Sequence, residues 1–130
     1  MAKGKILIID DEKIICTAFE RILGKRGYEV DTCFSAETAI EIIKSKKYDI
    51  IFVDFVLPGI DGIQTCKIIK EISPDSVPVC MTGALDTDPI YKELAFVNAG
   101  GKTYYLYKPF LDNEIIQVTE KVFSEIEKAD

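Results

Sequence analysis

Acidic side chains directly follow an apolar run near the start of the chain. Residues 6–9 lead into Asp10, Asp11 and Glu12, whose like charges repel one another, and a later apolar run ends in Asp54. Carboxylate oxygens are ligands that Mg²⁺ prefers, and a carboxylate can also act as a nucleophile that forms an acyl phosphate. These residue types favour magnesium-dependent phosphoryl chemistry.

Two further polar residues follow later apolar segments. Thr82 ends the segment VPVCMT, and Lys108 follows TYYLY. An ammonium group can pair with one phosphoryl oxygen, and a hydroxyl can donate a hydrogen bond to another. Each residue alone would more often be a helix cap, a turn residue or a solvated charge. Polar residues at four separate strand ends together favour one common site.

Strand and helix signals alternate along the whole chain. The predicted strands are residues 6–9, 28–33, 49–55, 77–82 and 103–107. Helical patterns follow them, and the predicted helix starts are Ser35, Asp61, Asp88-Pro89 and Asp112. Alternation of this kind predicts an α/β fold, a doubly wound sheet of five parallel strands. Ligands of such sheets bind beyond the carboxyl ends of the strands, where the polar residues lie.

Composition limits the class of function. The 130 residues carry a formal net charge of -6, and 48% of them are hydrophobic. This size predicts one domain, and the acidic balance argues against a direct nucleic-acid partner. The chain has no histidine, which excludes Ser-His-Asp and Cys-His catalysis. The four cysteines form no C-x-x-C pair, so a zinc site is not expected.

The sequence also predicts a compartment. No apolar run reaches the ~20 residues that span a bilayer, so we expect no membrane partner. The first strand begins too early to leave room for a signal peptide. We therefore expect a cytoplasmic, single-domain protein whose cysteines are small buried residues in a reducing environment.

Four segments together resemble the receiver domain of two-component response regulators of the chemotaxis type. They are LIIDDE (7–12), IIFVDFVLPGIDG (50–62), VCMTG (79–83) and YLYKPF (105–110). The resemblance covers nearly the whole chain. It implies that residues 1–130 form a single receiver domain with the flavodoxin-like (β/α)5 fold and the strand order 2-1-3-4-5.

The resemblance also implies a metal and a phosphoacceptor. Asp54 corresponds to the residue that takes the phosphoryl group, and Mg²⁺ is the implied cofactor. Asp10, Asp11 and Asp54 would hold the metal together with the backbone carbonyl of Val56. Asp11 would bind it directly, and Asp10 mostly through water.

Three more residues take implied roles. Lys108 corresponds to the lysine that binds the phosphoryl group, and the family places a cis bond before Pro109. Thr82 and Tyr105 correspond to the two switch residues. One departure is that the segment from Thr82 to Lys108 is a few residues longer than is typical, with the extra length in residues 96–105.

These roles describe a signalling switch and not an enzyme in the usual sense. We expect a phosphoacceptor that promotes its own phosphotransfer and dephosphorylation. The expected partners are a histidine kinase or phosphotransfer protein and a downstream protein target. The chain is expected to be a monomer or a weak dimer.

Two alternatives belong to other classes. An aspartate-nucleophile phosphohydrolase of the haloacid-dehalogenase type would carry a second Asp two residues after the nucleophile, where this chain has Val56. A flavodoxin would cradle its phosphate in a first loop rich in Ser, Thr and Gly, whereas residues 10–12 are acidic.

Overall fold

The computed structural model describes residues 3–55, 57, 59–83, 98, 105–108 and 110–129, with the side chains of 82, 83, 105–108, 128 and 129 excepted. Within this part of the chain, five strands form one parallel sheet in the order β2-β1-β3-β4-β5. The strands are β1 (Lys5–Ile9), β2 (Glu29–Cys33), β3 (Ile50–Asp54), β4 (Val77–Gly83) and β5 (Tyr105–Lys108). The predicted strand order is confirmed.

Four helices lie in the same described part: α1 (Lys13–Gly24), α2 (Ala36–Ile43), α3 (Gly62–Ile72) and α4 (Asp112–Ala129). Apart from Asn98, which is helical, the helix predicted after Asp88-Pro89 lies outside the described residues, as do Val56, Pro109 and most of the extended segment before β5. None of the helices described is both long and apolar enough to cross a membrane.

Helices cover both faces of the sheet, as the continuous apolar strands require. One core joins the sheet to α1 and α4, and in it the rings of Phe19 and Phe52 pack with their centroids 5.0 Å apart. The other core joins the opposite face to α2 and α3, through Ala39 and Ile69 among others. The predicted doubly wound architecture is therefore confirmed.

Two predicted caps fix helix starts near the site edge of the sheet. The Ser35 hydroxyl accepts a hydrogen bond from the N–H of Thr38 at 3.2 Å, and an Asp61 carboxylate oxygen accepts one from the N–H of Gln64 at 2.8 Å. Each cap satisfies a backbone donor that the first helical turn would leave unpaired. The four cysteines are buried, as expected.

Candidate metal centre

The ends of β1 and β3 bring the predicted acids together. Ile9 pairs with Val53 in the parallel register, so Asp10 and Asp54 come next on neighbouring strands. Carboxylate oxygens of Asp10, Asp11, Glu12 and Asp54 all lie within 4.8 Å of one another. We call these four residues the acidic cluster. It unites the three acids that the sequence predicted with a fourth, Glu12.

Backbone contacts on both sides hold Asp10 in place. Its N–H donates to the carbonyl of Cys33 at 3.1 Å, and its own carbonyl accepts from the Cys16 thiol at 3.4 Å. One carboxylate oxygen accepts the N–H of Glu12 at 2.9 Å. Burial raises the pKa of the Cys33 thiol to about 12, so this thiol stays neutral.

Asp54 is the buried end of the central strand, with 4% of its surface exposed. The next residue, Phe55, extends the sheet by donating its N–H to the carbonyl of Met81 at 2.8 Å. The carbonyl of Phe55 in turn accepts the N–H of Gly62, the first residue of α3, at 3.1 Å. The nucleophile candidate therefore lies on a backbone fixed by β4 and α3.

The chemistry of the acidic cluster fits a magnesium ion. All four donors are hard oxygen atoms, and two oxygens on opposite sides of Mg²⁺ are about 4.2 Å apart at its usual bond lengths, close to the 4.8 Å spread of the cluster. Two carboxylates this near repel by an energy on the order of 4 kcal/mol at an effective dielectric of about 20. A small divalent cation between the carboxylates would offset that repulsion.

The remaining predicted site residues lie on neighbouring strands. Thr82 pairs with Tyr107 and Gly83 with Lys108 at the carboxyl ends of β4 and β5, and Tyr105 pairs with Cys80 further down. Their backbones therefore lie toward the same edge as Asp54, which pairs with Met81. Their side chains are not among those described, and their roles remain predictions.

One contact to the loop after Asp54 was not predicted from the sequence. The Glu37 carboxylate, on α2, accepts the N–H of Ile60 at 3.4 Å. Gly59 beside it has φ of +84°, a conformation that suits glycine. The glycine itself signals a turn, but no local pattern links Ile60 to a residue 23 positions earlier.

Comparison with known proteins identifies relatives along nearly the whole chain. The family profile described as the response regulator receiver domain matches residues 6–120. The transcriptional regulatory protein YvrH of Bacillus subtilis (strain 168) is 36% identical over 111 residues, which is 85% of this chain and 45% of that protein. The chain thus spans about half the length of this curated relative.

Solved structures share the same architecture. A two-component response regulator from Clostridium difficile is 31% identical, with a TM-score of 0.84 over 94% of this chain and 97% of that chain. NtrX from Brucella abortus is 27% identical, with a TM-score of 0.88 over 99% of this chain and 29% of that chain.

Proposed function

The chain belongs to the receiver domain family of two-component response regulators, and from that membership and the acidic cluster we propose that Asp54 accepts a phosphoryl group and thereby switches a partner-binding surface. The observation that carries this proposal is the position of Asp54. It ends the central strand almost fully buried, with a carboxylate oxygen within 4.8 Å of oxygens from three other acids.

Magnesium is the proposed cofactor. Asp10, Asp11, Asp54 and the backbone carbonyl of Val56 would hold it, and Glu12 is close enough to contribute through water. When bound, the cation supplies positive charge that offsets the negative charge of the phosphoryl group. The hydrogen bonds to Asp10 keep its carboxylate oriented toward the other acids before any metal arrives.

The proposed transfer step needs a phosphohistidine on another protein, since this chain has no histidine. A carboxylate oxygen of Asp54 attacks the phosphorus, and a P–O bond forms as the P–N bond breaks. The electron pair of the broken bond stays on the imidazole nitrogen, which takes up a proton. The product is an acyl phosphate on Asp54 and a free histidine on the donor. Water later attacks the acyl phosphate and releases inorganic phosphate.

We propose that Lys108 and Thr82 bind the phosphoryl oxygens. We also propose that Thr82 and Tyr105 change conformation when the phosphoryl group is present. The register supports this, because Thr82 lies next to the end of β4, the strand that pairs with β3, and Lys108 ends β5, the strand beyond β4. An ammonium group and a hydroxyl would stabilise the charge of the transferring group. Movement of Thr82 toward it would shift the population of Tyr105 conformations.

The donor is proposed to be a histidine kinase or phosphotransfer protein that docks on apolar side chains around the acidic cluster. Ile14, Phe34 and Leu111 are 76%, 46% and 72% exposed, and each follows the carboxyl end of a strand. Three of the four well-exposed large apolar side chains in the described part of the chain thus lie at the site edge. Contact with these three side chains would bring a partner's histidine to Asp54.

Further features belong to the same proposal. Residues 1–130 act as one receiver domain that contacts a downstream protein and not nucleic acid directly, in the cytoplasm, as a monomer or weak dimer. The receiver family consists of phosphoacceptor signalling domains and not of classical enzymes; self-catalysed phosphotransfer and dephosphorylation by this chain are proposed. The matches found give the haloacid-dehalogenase alternative no support.

Labelling with a small phosphoryl donor tests the proposal. The wild-type protein, incubated with acetyl phosphate and magnesium, should gain one base-labile phosphoryl group. Asp54→Asn keeps the size of the side chain but removes the nucleophilic anion, so it should gain none. The fold of the variant is checked by circular dichroism. Equal labelling of the two proteins would falsify the assignment.

A further inference from the structure

Gly62 begins α3 in direct contact with the backbone of the proposed phosphoacceptor. A Cβ atom at this position would lie 2.9 Å from the carbonyl oxygen of Asp54 and 2.8 Å from the Cα atom of Phe55. Both are backbone atoms of buried residues, so they cannot turn aside as the end of a flexible side chain does. Any side chain at residue 62 must therefore displace either α3 or the end of β3.

Hydrogen bonds tie the same backbone to its neighbours. The N–H of Gly62 donates to the carbonyl of Phe55 at 3.1 Å, and the N–H of Phe55 donates to the carbonyl of Met81 at 2.8 Å. The residue after Asp54 is thus held between α3 and β4. A shift of α3 would act on Asp54 through these bonds.

The first turn of α3 is itself firmly held. Asp61 caps it through the N–H of Gln64, and the carbonyl of Asp61 accepts both the N–H of Thr65 at 2.9 Å and its hydroxyl at 2.7 Å. Such a turn does not relieve a close contact by fraying. The displacement would instead be passed to the strand end.

We propose that Gly62 is a positioning residue for phosphoryl transfer, because its missing side chain sets where the backbone of Asp54 lies relative to Asp10 and Asp11. The attacking carboxylate moves with that backbone. Displacement of a reacting group by even 1 Å can cost about 100-fold in rate. This inference rests on the proposed function of Asp54.

A matched pair of variants tests it. Gly62→Ala adds the Cβ atom at the contact, and Gly24→Ala adds one at the end of α1, where nothing lies within 4 Å. Labelling by acetyl phosphate with magnesium is followed over a series of donor concentrations, and rates are expressed per folded molecule from circular dichroism. We expect Gly62→Ala to lower the maximal rate about tenfold or more without raising the half-saturating donor concentration. Gly24→Ala should retain both values.

A merely structural role would lower the folded fraction and leave the rate per folded molecule unchanged. Equal maximal rates per folded molecule for the two variants would therefore overturn the inference. If Gly62→Ala does not fold, Asp61→Ala takes its place, since it keeps Gly62 but removes the cap that fixes the first turn of α3. It must then slow labelling, and an unchanged rate overturns the inference. Absence of label from wild-type Asp54 would overturn the proposed function instead.

Discussion

Asp10 and Asp54 differ from Asp11 and Glu12 in their exposure to solvent. The first two are 0% and 4% exposed, whereas the other two are exposed. Buried carboxylates held by backbone contacts keep a fixed orientation, and exposed ones can exchange between water and a metal. The acidic cluster therefore combines a rigid part with an accessible part, which suits a cation that binds reversibly and keeps several waters.

Magnesium should stabilise the folded protein through this cluster. Binding to the native state alone adds about 2.7 kcal/mol when the free ion is at about 100 times its Kd. Asp11→Ala removes one accessible ligand, so most of the gain in melting temperature should disappear. The measurement is thermal unfolding by circular dichroism across a magnesium titration.

Asp75→Ala is the control for that titration. Asp75 is exposed in the turn that precedes β4, at the opposite end of the sheet. This variant should show the same gain in melting temperature as the wild-type protein. A similar gain in Asp11→Ala would contradict the metal site.

Strand β2 lies at the edge of the sheet and carries an ion pair on its surface. Asp31 accepts hydrogen bonds from the Lys46 ammonium and the Tyr48 hydroxyl, both at 2.6 Å. Lys46 also lies 3.4 Å from Glu29 on the same strand. Charged side chains on an edge strand discourage pairing with another chain. The hydrogen bonds from Lys46 and Tyr48 lower the pKa of Asp31.

The lowered pKa of Asp31 predicts a pH dependence of stability. Since the folded value lies below the unfolded value of about 3.9, the stabilisation is present above that pH and is lost as pH falls through the folded value. Asp31→Asn should therefore lower the melting temperature by a few degrees near neutral pH, and the difference should shrink in strong acid. The ion pair of Asp31 and Lys46 is partly exposed, so high salt should also reduce the difference in melting temperature between the two proteins.

Thermal unfolding of both proteins across the pH range checks this expectation. Asp75→Asn, off the ion pair, should follow the wild-type curve at every pH. A difference between wild type and Asp31→Asn that is as large in acid as at neutral pH would contradict the role assigned to the ionised Asp31.

The elements also show what the sequence could and could not predict. Ser35 and Asp61 were predicted as caps because capping is a local interaction between residues three positions apart. The partners of Asp31 lie 15 and 17 positions away along the chain, and the close contact of Gly62 depends on how α3 packs on β3. Neither leaves a local pattern, so neither could be predicted.

For the whole molecule, alternation of strands and helices predicted the parallel sheet and the edge that carries the site, whereas the strand order was implied by the resemblance to receiver domains. Parallel strands place their carboxyl ends together, so Asp10 and Asp54 had to meet once β1 and β3 were neighbours. The sequence did not reveal the separation of 4.8 Å within the acidic cluster or the participation of Glu12. Distances of that kind depend on loop geometry, which composition and periodicity do not encode.

The burial of all four cysteines predicts that their thiols react only when the molecule opens. The cysteines are at most 4% exposed, and burial raises the pKa of Cys66 to about 11. Since the thiolate is the reactive form, a disulfide reagent at mildly alkaline pH should modify the native protein slowly and the denatured protein at once. Rapid reaction of any thiol in the native protein would contradict this packing.

We propose that Asp54, among the four carboxylates of the acidic cluster, is the one that takes the phosphoryl group. The most direct measurement labels the wild-type protein with acetyl phosphate and magnesium, and then maps the label by mass spectrometry of peptides. Borohydride reduction converts a phosphorylated aspartate to homoserine and so marks the site. We expect homoserine at residue 54 and unchanged Asp10, Asp11 and Glu12. Label on any of those three, with Asp54 intact, would contradict it.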